Sequence, residues 1–386
     1  MESNKHPVLV ISRSTPPRTG GTPSILANQF SWLENDFIFV GSRPNVNETR
    51  NVMKNNWFFY DIPQIKSNRF LPGFEFLLVF RIVYTSLKAI KKHDCKSVIL
   101  LLLDEPYILS GYLVAKITKL PLTFYVQDLY SDSNIINGFL RKKFAKFLEK
   151  LLINLSKYHI TNIPPLVDYY NSKWKINMKL VTNCFPKNIS IENNHKIMFP
   201  KKGKDKIIGF CGSLYWANSD NFKILVKALS GLTNFRLVIF GSQSIKSIKN
   251  LGIDTKKVSQ KFIPDIAELQ NSLMKCDILF MPFTFNLKYK MFMLNAFPTK
   301  IHNYLFSSRP ILAHCPSESY ITRFFKKNSG ALIVNDNSEI KLREGIIKII
   351  NDKSLQKDLI KNIEKISYEY RYDRPVEYLN EILSDF

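Results

Sequence analysis

The 386-residue chain suits two domains of ordinary size, and its 45% hydrophobic content excludes a disordered chain. No apolar run approaches the roughly 20 residues that span a bilayer. The net charge of +23 is spread along the chain, which fits either anionic partners or compositional drift in a chain rich in Lys, Asn, Ile and Phe. The five cysteines stand singly and no signal-peptide pattern is present, so we expect a cytosolic protein with reduced thiols.

In the first half, short β-rich runs alternate with longer amphipathic runs. The predicted strands are Val8–Ser12, Phe37–Val40, Phe58–Ile62, Val98–Leu103, Leu122–Gln127 and His159–Thr161, and the predicted helices are Pro23–Leu33, Glu75–Lys92, Tyr107–Lys119 and Leu140–Lys157. Apolar strands alternating with helices indicate a parallel sheet that is covered on both faces.

A polar, lysine-rich segment separates this half from a second alternation of the same kind. The second set of strands is KIIGFCGS, FRLVIFGS, VSQKFI, DILFMP, RPILAH and GALIV. We therefore predict an acceptor domain at 1–187, a linker at 188–205, a nucleotide-sugar domain at 206–366, and a tail at 367–386 that packs back toward the first domain. The fold class is α/β with two doubly wound sheets, which place ligands beyond the carboxyl ends of their strands in a central cleft.

The loop at Gly20 and Gly21 joins the first strand to the first helix. Glycine lets a ligand approach the backbone, and the free N–H groups of a helix start favour an anion or a polar sugar. An ordinary βα turn, with proline in the first helical turn, explains the same residues. Gly20 and Gly21 are candidate acceptor residues.

Asp128 and Asp132 follow the strand that ends at Gln127. Polar residues at this end of a strand face the ligand crevice of a doubly wound sheet, so both are candidate acceptor residues. Asp128 is also a candidate catalytic residue, because its carboxylate can orient an acceptor hydroxyl or remove its proton. A helix N-cap role is the alternative interpretation.

A strand, a Gly–Ser turn and a helix follow one another around Gly212, Ser213 and Asn218, which are candidate donor residues. The N–H groups of such a turn can surround a diphosphate. No Lys or Arg occurs between Lys206 and Lys223, so this loop itself supplies no cation.

The segment after DILFMPF supplies a cation, since Thr299 and Lys300 begin a predicted short helix. A lysine in the first turn opposes the helix dipole unless an anion is bound there. Asn303, one turn later, can bond ribose or sugar hydroxyls. A capped helix whose apolar residues simply pack is the alternative.

Taken in order, these segments resemble a GT-B glycosyltransferase of family 4, in the branch that makes bacterial surface polysaccharides. The resemblance is carried by Gly20–Gly21, YVQDLYSDS, GFCGSLYWANSDNF and FPTKIHNYLFSSRPILAH. It implies a retaining transferase with a nucleotide-sugar donor, expected to be UDP-linked. By resemblance, Lys300 lies at the donor diphosphate, Asn303 at the ribose and Asn295 near the donor sugar.

The chain departs from this family at two places. Asn295 and Asn303 stand where the family has two glutamates, and the basic pair after the Gly–Ser turn is missing. An amide keeps the hydrogen bonding but loses the charge that stabilises an oxocarbenium-like centre, so the donor chemistry is expected to differ from the family's.

The predicted activity is metal-independent transfer of a hexose-like sugar to a lipid-linked glycan of lipopolysaccharide or capsule type. Asp128, Asn295 and Lys300 are the catalytic candidates, and no cofactor, metal or nucleic acid is expected, because no metal-binding cluster occurs and the charge is diffuse. The alternatives are an epimerase or hydrolase of nucleotide sugars and a partner subunit that has lost catalysis.

Two basic amphipathic segments, 139–152 and 68–92, predict a peripheral location on the cytoplasmic face of the membrane. In the first segment, five basic residues surround an apolar stripe that begins at Leu140. We expect the stripe to face the protein core and the charges to face an anionic leaflet.

Overall fold

The computed structural model describes residues 6–18, 20–42, 54–63, 74–102, 104–133, 136, 138–185, 187, 205–370 and 373–385. Nearly all of the predicted linker, and Leu103 of the fourth predicted strand, lie outside the described residues. The chain divides into two units, one drawn from residues 1–188 and 372–386 and the other from 189–371.

The first unit contains a parallel sheet. Its strands are β1 (Val8–Ile11), β2 (Phe37–Ser42), β3 (Trp57–Ile62), β4 (Ser97–Leu101), β5 (Leu122–Val126), β6 (Tyr158–Thr161) and β7 (Lys179–Leu180). They lie in the order β3-β2-β1-β4-β5-β6-β7. The chain order reverses between β1 and β4, and this is where doubly wound sheets bind ligands.

The second unit repeats this topology. Its strands are β8 (Lys206–Cys211), β9 (Phe235–Phe240), β10 (Val258–Lys261), β11 (Ile278–Pro282), β12 (Ile311–His314) and β13 (Ala331–Val334). All described pairs are parallel, in the order β10-β9-β8-β11-β12-β13, so the reversal lies between β8 and β11.

Helices follow the strands in both units. In chain order they are α1 (Gly21–Phe30), α2 (Phe74–His93), α3 (Glu105–Thr118), α4 (Phe139–Leu155), α5 (Pro164–Trp174), α6 (Ser219–Ser230), α7 (Ile245–Asn250), α8 (Ile266–Leu273), α9 (Lys290–Asn295), α10 (Lys300–Leu305), α11 (Tyr320–Asn328), α12 (Glu339–Asn351), α13 (Lys353–Glu369) and α14 (Asp373–Ser384). The predicted architecture of two doubly wound parallel sheets is therefore confirmed. Sequence reasoning missed α5 and β7, because α5 begins at a Pro–Pro pair and β7 is a two-residue, exposed edge strand.

The sheet of the first unit is covered on both faces. On one face, α1 and α14 enclose a core in which Phe30 stacks on Phe37, with ring centroids 4.2 Å apart, and α14 contributes Leu379 and Ile382. On the other face lie α2, α3 and α4. There Gly111 of α3 packs directly against the Leu100 side chain, so that a Cβ on the glycine would come within 2.5 Å of it.

The expectation that the apolar stripe of the fourth predicted helix faces the core is correct for Leu148 and Leu152 and wrong for the first half of the stripe. The buried side of α4 is formed by Ala145, Leu148, Glu149, Leu152 and Ile153, whereas Phe139, Leu140, Phe144 and Phe147 are exposed. The physical reason is that the apolar side of α4 is wider than the surface it packs on, so only part of it is buried against the sheet. No helix within the described residues is long and apolar enough to cross a membrane.

Candidate functional site

The carboxyl ends of β8 and β11 bring together two segments that are far apart in the chain. Gly212 follows β8 with a φ of +118°, a conformation that disfavours any residue with a Cβ. Lys300, at the start of α10, lies across this turn. A Cβ on Gly212 would lie 3.4 Å from Lys300 Cε and 4.0 Å from its Nζ. The structure therefore places the predicted cation beside the predicted diphosphate turn.

The Lys300 ammonium has unusual surroundings for a lysine. Its Nζ lies 5.0 Å from the centroid of the Phe210 ring, a cation–π contact, and no carboxylate among the described residues pairs with it. Burial lowers the pKa of Lys300, while the neighbouring Cys211 partly offsets this effect. A half-buried cation without a counter-ion is a favourable place for an anion to bind, because the anion restores the lost solvation.

Tyr304 fixes α10 against the ends of the two central strands. Its hydroxyl donates to the Phe280 carbonyl at 3.0 Å and accepts from the Cys211 N–H at 3.2 Å. Burial raises the pKa of Tyr304 well above its ordinary value, so the phenol stays protonated. Lys300 lies one helical turn before this anchor. Sequence reasoning treated Tyr304 only as packing, whereas its hydroxyl holds the Lys300 segment in register with the Gly212 turn.

Asn303 lies on the same short helix, half-buried beside Cys211. Its Nδ2 lies 3.7 Å from the Cys211 sulfur, and its carbonyl accepts from Gln270 Nε2 at 3.1 Å. The side-chain oxygen of Asn303 forms no hydrogen bond within the described part of the chain. Asn303 is therefore placed near the Gly212–Lys300 pair with its acceptor oxygen available, and its ribose role stays a prediction.

The loop between β8 and α6 holds itself together by side-chain bonds. Asn218, the N-cap of α6, is buried; its Nδ2 donates to the Ser213 carbonyl at 3.1 Å and its Oδ1 accepts from Tyr215 N–H at 3.0 Å. The Gln243 side-chain amide accepts from the Leu214 N–H and donates to the Leu214 carbonyl. Asn218 thus holds this loop in place, and Ser213 is exposed next to Gly212.

Thr299 and Asn295 are less directly placed. Thr299 makes no capping bond with its side chain, and its carbonyl accepts from His302. Asn295 ends α9, where its amide donates to the Met291 carbonyl at 2.9 Å, and it has no hydrogen bond to Gly212, Lys300 or Asn303. Because α10 has only six residues, the anion site depends on the Lys300 side chain and the Gly212 turn more than on a helix start.

In the first unit, Gly20 and Gly21 are both exposed at the start of α1. Gly20 has a φ of +133° and no side chain caps this helix, so the first N–H groups of α1 lack a side-chain acceptor. The helix begins two residues before the predicted Pro23. The backbone is therefore open to a polar ligand at this position.

Asp128 lies two residues beyond the end of β5 and has an exposed side chain. Surrounding protein atoms nevertheless desolvate its carboxyl group, which raises its pKa to about 6. A carboxylate with such a pKa is ionised at neutral pH and is a stronger base than an ordinary aspartate.

The carboxylate of Asp132 is engaged by other side chains, and its acceptor role stays a prediction. Its carboxylate forms an ion pair with Lys173 at 2.8 Å and accepts from the Tyr169 hydroxyl. Burial acts to raise the pKa of Asp132, but these two hydrogen bonds and the Lys173 charge outweigh it and the pKa falls. Lys173 also pairs at 2.8 Å with Glu149, which is fully buried and accepts from Ser131 Oγ at 2.6 Å. Asp132 is thus part of a network that fixes the loop after Asp128.

Sequence reasoning missed a group of polar side chains at the same edge of the first sheet. Val126 of β5 pairs with Thr161 of β6, so Gln127 and Asn162 lie side by side at the strand ends. Both are buried. The Gln127 amide lies near enough to the Tyr125 hydroxyl to affect its pKa but forms no well-aligned hydrogen bond, and the Asn162 Oδ1 has no partner within the described residues. Buried polar groups are normally paired, so this edge requires a partner such as ordered water or a ligand hydroxyl. The sequence signal for this site is the polar residue that directly follows each of the two buried strands.

The fold defines where this protein binds its ligands. Two doubly wound sheets, with Lys300 near the ends of β8 and β11 in the second, are typical of proteins that hold a ligand beyond the carboxyl ends of their strands. Residues 192–366 match the family model described as "Glycosyl transferases group 1". No curated protein matches this chain.

Solved structures share the fold over nearly the whole chain. HepE from Anabaena, in complex with UDP and glucose, is similar with a TM-score of 0.65 and 14% identity, covering 98% of this chain and 99% of that one. WaaG, a glycosyltransferase involved in lipopolysaccharide biosynthesis, has a TM-score of 0.64 and 11% identity, covering 98% and 99%. A putative UDP-N-acetylglucosamine 2-epimerase from Listeria monocytogenes has a TM-score of 0.57 and 10% identity, covering 97% and 94%. At these identities the similarity establishes the GT-B fold.

Proposed function

We propose that the protein is a glycosyltransferase that takes a sugar from a UDP-linked donor. The observation that carries this proposal is the Lys300 ammonium, which lies beside the Gly212 turn without an acidic partner among the described residues. A diphosphate supplies the missing counter-charge, and the exposed Gly212 and Ser213 backbone leaves room for its oxygens. The match of residues 192–366 to glycosyl transferases and the UDP bound in the Anabaena relative support the same assignment.

In this proposal the chemistry depends on stabilising the leaving diphosphate. As the bond from the sugar to the diphosphate lengthens, negative charge grows on the bridging oxygen, and Lys300 neutralises it. A preorganised lysine performs this task without a metal ion, which is the basis for proposing metal-independent transfer. Asp128 orients the attacking acceptor hydroxyl or accepts its proton, as its raised pKa suits it to do.

The acceptor is proposed to be a glycan, lipid-linked and of lipopolysaccharide or capsule type, met at the cytoplasmic face of a membrane. Its hydroxyls would reach the α1 start at Gly21 and the unpaired amides of Gln127 and Asn162. A sugar carries several hydroxyls that both donate and accept, which matches amides on neighbouring strands. Retention of configuration and a hexosyl donor are proposed from the resemblance of the sequence motifs.

A second candidate is an epimerase of nucleotide sugars, favoured by the similarity to the Listeria protein. An inactive partner subunit is a third, since Asn295 and Asn303 stand where two glutamates are expected. Incubation with UDP-N-acetylglucosamine alone, followed by NMR, separates these candidates: an epimer demonstrates an epimerase, and free UDP with N-acetylglucosamine demonstrates hydrolysis.

The primary test is a thermal-shift comparison of UDP-, GDP- and TDP-sugars with the purified chain. We expect the melting temperature to rise with UDP-sugars, and the rise to be reduced in Lys300→Ala. If no nucleotide sugar at millimolar concentration stabilises the protein, the proposed donor site is refuted. Lys275→Ala is the matched control, because Lys275 is an exposed lysine of the same unit.

A further inference from the structure

Helix α4 exposes large apolar side chains that a soluble helix would normally bury. Leu140 is 80% exposed and Phe139 is 71% exposed, and Phe144 and Phe147 are also exposed. Leu140, Phe144 and Phe147 are spaced at i, i+4 and i+7, so they form one arc of the helix, opposite to part of the buried side. Helix α4 therefore has an exposed apolar arc as well as its buried, core-facing side.

Helix α2 has a similar exposed arc. Leu77, Phe80 and Tyr84 follow each other at i, i+3 and i+7, and Phe80 and Tyr84 are 72% and 70% exposed. Lys88 and Lys91 continue the same line of the helix toward its C-terminus and are exposed. The arc thus changes along its length from apolar to basic.

Both arcs lie on one side of the first unit. Helices α2, α3 and α4 connect strands that advance in the same direction across the sheet, and right-handed crossovers place such helices on the same face. α3 packs between α2 and α4 and exposes Ile117 near its end. We call the exposed apolar and basic residues of α2 and α4 the basic apolar face.

The exposed charges of α4 are of one sign. On α4, Lys142, Lys143, Lys146 and Lys150 are all exposed beside the apolar arc. The acidic residue within α4 is Glu149, which is buried and neutralised by Lys173. A face that combines large apolar side chains with unopposed lysines is complementary to a surface that is apolar beneath and anionic above, which describes a bilayer containing anionic phospholipids.

We propose that the basic apolar face binds the surface of an anionic phospholipid bilayer, with α4 lying in the plane of the interface. The apolar arcs enter the boundary between headgroups and acyl chains, while the lysines contact lipid phosphates. The inference deepens the proposed function by naming the surface on which a lipid-linked acceptor is met, but its test does not depend on transfer activity.

The test is flotation of the full chain with vesicles of 70% phosphatidylcholine and 30% phosphatidylglycerol, compared with pure phosphatidylcholine. We expect binding to the anionic vesicles that falls at least tenfold between 0.05 and 0.5 M salt, and little binding to the neutral ones. Leu140→Ser with Phe147→Ser should lower the partition coefficient at least tenfold. These residues are exposed, so the variant should keep the wild-type melting temperature.

Matched controls separate this face from the general basic charge of the chain. Lys143→Gln, Lys146→Gln and Lys150→Gln remove three charges from α4, whereas Lys246→Gln, Lys249→Gln and Lys256→Gln remove three exposed charges from the second unit. The α4 triple variant should weaken binding about tenfold or more, and the second triple variant less than threefold.

Equal weakening by both triple variants would overturn the proposal, as would no binding of the wild-type chain at low salt. If light scattering shows a dimer that the Leu140 and Phe147 changes dissociate, the face binds a second copy and the proposal is also wrong. If the chain binds UDP-sugars but no vesicles, the membrane-binding proposal is wrong and the proposed transferase function is unaffected.

Discussion

Replacing Lys300 by alanine removes the cation on which the proposed donor site depends. No carboxylate among the described residues pairs with this lysine, so the substitution breaks no ion pair in the free protein. Burial lowers the pKa of Lys300, which means that the charged ammonium is partly desolvated in the folded protein. Removing it should therefore leave the free energy of unfolding constant or raise it slightly. The effect should therefore fall on ligand binding.

The magnitude follows from the interaction that the structure offers. A hydrogen bond between a charged ammonium and a phosphate contributes about 1.5–3 kcal/mol. At about 1.4 kcal/mol per factor of ten, the dissociation constant for UDP should rise about 10- to 150-fold. The half-buried position of Lys300 favours the upper part of this range, since water screens a half-buried pair less than an exposed one.

Isothermal titration calorimetry with UDP measures this change directly, and Lys275→Ala should leave the affinity within twofold of the wild type. A dissociation constant for Lys300→Ala within twofold of wild type, with the fold intact, would refute the reasoning. The salt dependence gives a second criterion, because the variant should lose part of the slope of affinity against ionic strength.

Four further outcomes are expected. Gly212→Ala should weaken UDP binding at least tenfold by calorimetry, because the φ of +118° disfavours a Cβ that would also displace Lys300; wild-type affinity would contradict this. Gln127→Leu should raise the free energy of unfolding by about 1 kcal/mol in urea titrations, since a buried amide without a hydrogen bond costs stability until a ligand pairs it. The same change should lower transfer to a glycan acceptor. A lower free energy of unfolding would show that the amide is already hydrogen-bonded in the free protein. Transfer should fall as pH drops below about 6, where Asp128 becomes protonated, and Asp128→Asn should abolish this limb of the profile. Burial lowers the pKa of His302 and His314 from 6.5 to about 4, so the unfolded chain takes up protons at a higher pH than the folded chain. Each histidine should therefore contribute about 3 kcal/mol of stability above pH 6.5, and this contribution is lost as the pH falls toward 4. Denaturant titrations in which His314→Gln keeps the full wild-type pH dependence would contradict the contribution of His314.

The sheets were predictable from the sequence because their signal is local. β1 and β11 are short, unbroken apolar runs, and such runs in alternation with helices specify a doubly wound sheet. Lys300 became a candidate for a similar reason, as a basic residue in an unfavourable helical position. Its closeness to Gly212 depends on the adjacency of β8 and β11, which the recurring alternation implies.

Other features depend on which of several equivalent faces is buried. The buried part of α4 could not be assigned from periodicity, because its apolar side is wider than one face and packing on β5 and α3 decides which part is covered. The ion pair of Asp132 could not be predicted, because its partner Lys173 lies on α5, an element that sequence reasoning did not predict. Gln127 became a candidate only when its amide was found buried and unpaired.

The position of α14 has a consequence for how the chain is made. Leu379, Ile382 and Leu383 complete the apolar core that also contains Phe30 and Phe37, yet they follow the whole second unit in the sequence. During synthesis, the first unit must wait for these residues with part of its core uncovered, while the second unit can already fold. A first unit produced without α14 is therefore expected to aggregate, and adding the α14 segment as a separate peptide should restore its solubility.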